Sequence, residues 1–295
     1  MSVSASSALS AHPARPADPA AVVTALRAAG CVFAEDEAEL LIAEARTPAE
    51  LDGMVRRRAD GLPLEHVLGW AEFRGLRVAV DPGVFVPRRR TEFLVERAVA
   101  AAPARSTGPV VVDLCCGSGA VGLALRAALG RAELHAADID PAAVRCARRN
   151  AASHGGDSGD GSDGGDSRVY EGDLYEPLPA ALRGRVDILV ANVPYVPTEA
   201  IGTLPPEARD HEPLVALDGG MDGLDVLRRV TAAAPRWLAP GGSLLVETSE
   251  RQAAHAASAF AASGLITQVT TCDELNATVI TGTKPPTETA AVSEG

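Results

Sequence analysis

The chain has 295 residues, 46% of them hydrophobic, enough for a sizeable core and too long for a minimal module. Its 27 Lys+Arg against 39 Asp+Glu leave a formal charge of −12, the wrong sign for a protein that gains affinity by neutralising phosphates, so direct nucleic-acid binding is not expected. Five scattered cysteines (Cys31, Cys115, Cys116, Cys146, Cys272), without C-x-x-C or zinc-type Cys/His spacing, read as reduced thiols of a cytoplasmic protein, not as a disulfide framework or metal site.

Residues 1–17 are rich in Ser, Ala and Pro, lack the basic start and apolar block of a signal peptide, and read as a disordered tail. From residue 18 the pattern turns helical. Asp18 can N-cap a helix with Pro19 at its first position, Gly30 stops it, and Thr47-Pro48 repeats the signal. Residues 18–69 are predicted to form a small helical domain, too small to bury much apolar surface alone. The arginine runs at 56–58 and 88–90 read as solvated faces.

Residues 70–90 switch to extended patterning, with Phe73, Leu76, Val78 and Val80 around Gly75, and predict a β-hairpin linker. From 91 to 283, after a first helix, apolar strands alternate with helices. Strands are predicted at 110–114, 132–137, 186–191 and 243–247, with further runs at 266–271 and 277–282. Helices are predicted after the turn near 119 and at 141–152, 223–234 and 251–262. This alternation implies an α/β domain whose mostly parallel sheet is covered on both faces. Residues 155–167 contain only Gly, Asp and Ser. Their Asp residues recur every third position without the order of a calcium loop, so the segment reads as a flexible insertion. Residues 284–295 read as a second tail. The longest uncharged stretch, 252–272, carries His, Gln, Ser and Thr and is not a membrane span.

The first chemical signal is the run VVVDLCCGSGAVG at 110–122, a Gly-rich turn between a strand and a helix. Gly117 and Gly119 let backbone approach a ligand, and the helix start offers unpaired N–H groups. Asp138, ending the next strand, can accept hydrogen bonds from both ribose hydroxyls of a nucleoside. Gly117, Gly119 and Gly122 also satisfy the dinucleotide fingerprint, so this stretch alone indicates a nucleoside cofactor without saying which. Two features favour S-adenosylmethionine. Asp113 ends its strand where a carboxylate meets the cationic end of that cofactor, although the same residue can simply cap the turn. Gly172-Asp173-Leu174 resembles the acidic-then-apolar pair that brackets adenine in methyltransferases. Cys115 and Cys116 are expected to contribute backbone, not thiol chemistry.

The second signal follows the 186–191 strand: Asn192-Val193-Pro194-Tyr195, which resembles the Asn-Pro-Pro-Tyr motif of amino-methyltransferases. GLPLEHVLG at 61–69, EFRGL at 72–76, PGVFVPR at 82–88, Thr91-Glu92, Glu212-Pro213, Ala216-Leu217, Gly219-Gly220, Asp222-Gly-Leu224 and Pro240-Gly-Gly242 extend the match in consistent order. From about residue 18 to 284 the chain resembles the HemK/PrmC-type protein-(glutamine-N5) methyltransferases, and most of all a related branch with Asn-Val-Pro-Tyr and no settled substrate.

The resemblance implies a seven-stranded, Rossmann-like, S-adenosylmethionine-dependent methyltransferase domain, with a helical N-terminal domain that helps recognise a protein substrate. It implies methyl transfer to the side-chain amide of an exposed glutamine, in the GGQ loop of a release factor or, in a sister branch, in a ribosomal protein. By position, Asp113, Cys115, Cys116, Gly117, Ser118, Gly119, Asp138, Ile139, Asp173, Leu174 and Asn192 would contact the cofactor. Asn192, Val193, Pro194 and Tyr195 would hold the substrate, with Asn192, Pro194 and Tyr195 forming the catalytic turn. An amide nitrogen is a poor nucleophile because its lone pair is delocalised. The site must therefore aim the NH2 at the methyl group and accept its hydrogens as positive charge develops.

Three departures stand out. Val193 replaces a proline, restoring an N–H and freeing φ. Arg89-Arg90 stand where the family has Pro-Glu. The final strands, around 273–280, lack the usual arginines. Two other readings stay open: methylation of an exocyclic base amine on RNA or DNA, and non-catalytic binding of S-adenosylmethionine.

Overall fold

The computed structural model describes residues 18–154 and 167–286. The 1–17 tail, most of the 155–167 insertion and the end of the chain from 287 lie outside the described residues.

The chain divides after Leu68 into two compact units. In the first, α1 (Pro19–Ala28) begins where the Asp18 carboxylate accepts from the Ala20 N–H at 3.1 Å. It is followed by α2 (Ala34–Glu44), α3 (Pro48–Ala59) and the short α4 (Leu64–Leu68). Thr47 Oγ1 accepts from Glu50 N at 3.1 Å while Glu50 reaches back to Arg46 N at 2.9 Å, a reciprocal cap that fixes the start of α3. Leu26, Leu41, Leu51 and Met54 fill the common core. Arg58 corrects the reading of its run as a solvated face. It is buried and grips Glu37 of α2 through Nε at 2.6 Å and Nη2 at 3.0 Å, because the planar guanidinium fork matches a carboxylate.

The second unit opens with the hairpin β1 (Trp70–Phe73) and β2 (Leu76–Ala79), paired antiparallel. Arg74 and Gly75 stand at φ 49° and 76°, the two left-handed positions of a tight turn that matches strand twist. A 3-10 turn, Arg89–Thr91, leads into α5 (Glu92–Ala101). The αβ alternation then runs β3 (Val110–Leu114), α6 (Ala120–Leu129), β4 (Glu133–Asp138), α7 (Pro141–His154), β5 (Ser167–Glu171) and β6 (Val186–Ala191). Short helices α8 (Pro206–His211) and α9 (Leu214–Leu217) precede α10 (Asp225–Trp237), β7 (Leu238–Thr248), α11 (Ala253–Ala262), β8 (Ile266–Cys272) and β9 (Ala277–Thr283).

The sheet has seven strands in the order β5-β4-β3-β6-β7-β9-β8. The first five are parallel, and β9 runs antiparallel to both β7 and β8. Alternate residues of β3 serve opposite layers. Val110, Val112 and Leu114 pack with Leu227, Val230 and Phe260 of α10 and α11, whereas Val111 packs with Leu94, Val95 and Leu125 of α5 and α6. The chain builds outward from β3 to β5 and then returns to β6 on the other side. The strand order thus reverses between β3 and β6, and their carboxyl ends open a crevice at that switch point.

Several elements differ from the sequence reading: β7 begins at Leu238 and not at 243, and α8 and α9 were not expected. β5 begins at Ser167, inside the expected insertion, and its half-exposed edge sequence gave no apolar run. The helix expected to end at 234 continues through Pro235 to Trp237. Lys284, expected to open the tail, is held instead: its Nζ donates to the carbonyls of Pro235 and Leu238, each at 2.8 Å.

Candidate active site

The loop after β3 is shaped by its own backbone. Cys115, Gly117 and Gly119 stand at φ 55°, 56° and 81°, and Gly119 N donates to Cys116 O at 2.7 Å. Cys116 N donates to Ala137 O of β4 at 3.1 Å, so the loop crosses the neighbouring strand end. Ser118 is buried and its carbonyl accepts from Asn150 Nδ2 at 2.9 Å. Gly117 has nothing within 4 Å of the point where a Cβ would stand, which leaves backbone facing open space.

Asp138 ends β4 beside that space. One oxygen accepts from Gly117 N at 2.8 Å and the other from Asp140 N at 2.9 Å, and each keeps lone-pair capacity for a further donor. Burial raises its pKa above the ordinary carboxylate value. Ile139 next to it is half-exposed. Gly172 N donates to Asp138 O at 2.9 Å, bringing Asp173 and Leu174 to the same edge. Leu174 is buried at φ 49°, and Asp173 pairs with Arg229 at 2.5 Å.

Asp113 is turned inward. Its Oδ2 accepts from Gly122 N in the first turn of α6 at 2.9 Å, and burial pushes its pKa up to about 7. The structure thus gives it the turn-capping role. Gly122 keeps this contact close, since a Cβ there would stand 3.0 Å from that carboxyl oxygen and from Leu134 and would press on both. Burial and the nearby Asp138 hold both thiols, Cys115 and Cys116, well above their usual range, which disfavours the thiolate at each. Three carboxylates (Asp113, Asp138, Asp173) act on Cys115 against one guanidinium, Arg229.

The Asn192–Tyr195 turn leaves β6 directly beside this loop. The parallel register pairs Leu114 with Ala191, so Cys115 and Asn192 leave adjacent strand ends. The Asn192 carboxamide has no hydrogen-bond partner among the described residues and is half-buried. Val193 and Pro194 are buried and Tyr195 half-buried, its hydroxyl pKa pushed up to about 12 by burial, so it stays protonated in the physiological range. The turn is braced from behind. Val196 N donates to Leu217 O at 3.0 Å, and Gly219 N to Val196 O at 2.9 Å. A Cβ at Gly219 would stand 2.7 Å from Pro194 O, and one at Gly223 would overlap Tyr195 O.

Five residues around the turn, Arg88, Arg90, Glu212, Glu247 and Gln252, carried no site role in the sequence reading. Arg88 binds both oxygens of buried Glu212 at 2.6 Å. Arg90 donates through Nη2 to the Tyr195 hydroxyl and through Nε to Glu247 at 3.0 Å. Gln252 Nε2 donates to Tyr195 O at 2.9 Å. These pairs correct the reading of 88–90 as a solvated face for Arg88 and Arg90, whereas Arg89 is exposed as expected. The sequence signal that pointed to them was the charge reversal at 89–90 and the Glu212-Pro213 match.

Fold and site together define a methyltransferase. Residues 75–203 match the family model of the methyltransferase small domain. A methyltransferase from Pyrococcus furiosus shares the fold, with a TM-score of 0.51 at 13% identity over 72% of this chain and 90% of that one. The release factor glutamine methyltransferase of Geobacter sulfurreducens is 41% identical over 214 residues, 72% of this chain and 69% of its own. The 4-amino-L-phenylalanine/4-methylamino-L-phenylalanine methyltransferase of Streptomyces pristinaespiralis is 38% identical over 71% of this chain and 69% of its own. The chain belongs to the release factor glutamine methyltransferase family. Among the described residues no helix is long and apolar enough to cross a membrane.

Proposed function

We propose that this enzyme moves the methyl group of S-adenosylmethionine to the side-chain amide nitrogen of a glutamine in a release factor. The observation that supports this most is the register of β3 and β6, which sets the Gly-rich loop and the Asn192–Tyr195 turn side by side at the switch point. Cys115 to Gly119 would wrap the cofactor, Asp138 would accept from its ribose, and Ile139, Asp173 and Leu174 would flank its adenine. When bound, that cofactor supplies an electrophilic methyl on a positively charged sulfur.

The chain's own residues then have one task, to present the acceptor. Asn192 Oδ1 accepts one hydrogen of the substrate NH2, and the carbonyl of residue 193 accepts the other. The Tyr195 ring packs on the planar amide and favours the cationic charge that grows there. With the acceptor so held, the nitrogen would take the methyl that the cofactor supplies as a thioether leaves, and its surplus proton would pass to water. No strong base is needed, and the protonated Tyr195 is not one.

We assign recognition of the protein substrate to the helical unit before residue 69. A release-factor substrate would place the enzyme in the cytoplasm, without direct nucleic-acid contact. A second reading, an aryl amine on a free amino acid, takes its support from the Streptomyces pristinaespiralis relative. Labelled S-adenosylmethionine incubated with purified release factor, with RNA and with free 4-aminophenylalanine separates these. Label is expected in the release factor and lost with Asn192→Ala while cofactor still binds. Label confined to either other acceptor would overturn the proposal.

A further inference from the structure

Tyr195 is held at both ends by side chains from distant parts of the second unit. At the ring end, Arg90 donates to the hydroxyl, and its guanidinium carbon lies 5.7 Å from the ring centroid. Arg90 is itself anchored, since Nε donates at 3.0 Å to Glu247, a buried carboxylate on β7. At the backbone end, Gln252 Nε2 donates to Tyr195 O at 2.9 Å and to Asp222 O at 3.0 Å, while its Oε1 accepts from Ser249 Oγ at 2.5 Å. Both hydrogens of the Gln252 amide and its oxygen are therefore engaged. Between these anchors the turn contains Val193, whose φ is not locked by a ring.

We infer that Arg90 and Gln252 are positioning residues that clamp Tyr195 from opposite ends and supply the rigidity that Val193 does not. The inference rests on the proposed amide transfer for its kinetic consequence and on geometry alone for its structural one. The physical reasoning is direct. A turn that must aim a weak nucleophile loses rate steeply when its members wander, because only the aligned fraction reacts. A proline at 193 removes one backbone freedom; a valine leaves it, and two tertiary ties restrict the same residues from outside. Arg90 suits the outer tie. Its fork spans a carboxylate and a hydroxyl at once, which a lysine cannot reproduce with fixed geometry. Acting through Tyr195, neither residue needs to touch cofactor or acceptor.

The test is a cycle of Arg90→Ala, Gln252→Ala and Val193→Pro, alone and combined, read in two ways. In single-turnover transfer, each alanine variant is expected to lower the rate about tenfold with cofactor affinity unchanged. In the Val193→Pro background, either alanine substitution is expected to lower the rate no more than about threefold relative to Val193→Pro alone. A loss from general destabilisation would lower the unfolding midpoint and would not be recovered by a proline at this one position. The second reading is the NMR spectrum of chain carrying 13C-labelled tyrosine, whose three tyrosines include Tyr195, identified by Tyr195→Phe. Arg90→Ala should broaden or shift the Tyr195 ring signal, and Val193→Pro should return it. Transfer absent from the parent protein would count against the proposed reaction and leave the spectrum to judge the clamp. Unchanged Tyr195 signals in Arg90→Ala, or loss of transfer that Val193→Pro fails to recover, would overturn the inference.

Discussion

Asp113, next to last in β3, and Asp138, last in β4, stand near the ends of adjacent strands, yet their surroundings differ. Asp138 meets the open space before Gly117 and retains acceptor capacity, so Asp138→Ala is expected to weaken S-adenosylmethionine about 100-fold by calorimetry, the loss of two charge-assisted hydrogen bonds. Asp113 instead holds Gly122 from inside, with its pKa pushed up to about 7 by burial. Because that value lies above an unfolded carboxylate, the folded state binds the proton more tightly. Stability therefore falls as pH rises from about 4 to about 7. Asp113→Asn keeps an acceptor oxygen and removes the buried charge. Urea unfolding should show it more stable than the parent at pH 8, by roughly 2–4 kcal/mol, with the gain gone near pH 4. A variant less stable at pH 8 would mean that the carboxylate is favoured where it lies. At this scale the sequence revealed contiguous motifs, such as Asn192 to Tyr195. It did not reveal partners such as Arg90, 105 positions away from Tyr195, or Gln252, 57 positions away, because nothing local marks a tertiary contact.

Among the elements, the parallel strands were legible because burial on both faces leaves near-continuous apolar runs, as in β3 and β6. β5 escaped for the opposite reason: it is an edge strand with half-exposed residues, starting directly after a Gly-rich segment. The 217–223 segment shows what motif matching leaves unexplained. Its glycines were matched as sequence, and the structure supplies the cause: they allow this loop to lie against the Asn192–Tyr195 turn. Gly223 stands at φ 76°, and its missing Cβ makes room for Tyr195 O and the Gln252 amide. Gly223→Ala is expected to destabilise the chain by roughly 1–3 kcal/mol and to lower transfer further than stability alone explains, because the displaced atoms belong to the turn. Thermal unfolding beside the transfer rate checks both. A variant that transfers normally would show the brace to be dispensable.

For the whole molecule, the division into two compact units after Leu68 matches the change in sequence character near residue 69. Capped helices with a small core come first, then a sheet large enough to stand on its own packing. The helical unit exposes Val32 and Phe33, at 83% and 67% of their surface. If that unit recognises the protein substrate, Val32→Ser with Phe33→Ser should raise KM for an intact release factor roughly threefold or more and leave a short glutamine peptide unaffected. Equal effects on both acceptors would place recognition elsewhere. The identity of the substrate protein was the part least legible in the residues. The most direct measurement is a crystal structure of the chain with S-adenosylhomocysteine and a glutamine-bearing release-factor peptide. The amide nitrogen should lie within hydrogen-bond reach of Asn192 Oδ1 and the residue-193 carbonyl, facing the sulfur across the β3–β6 crevice. A peptide amide seated away from the turn, or a cofactor bound outside the Cys115–Asp138 edge, would contradict the account.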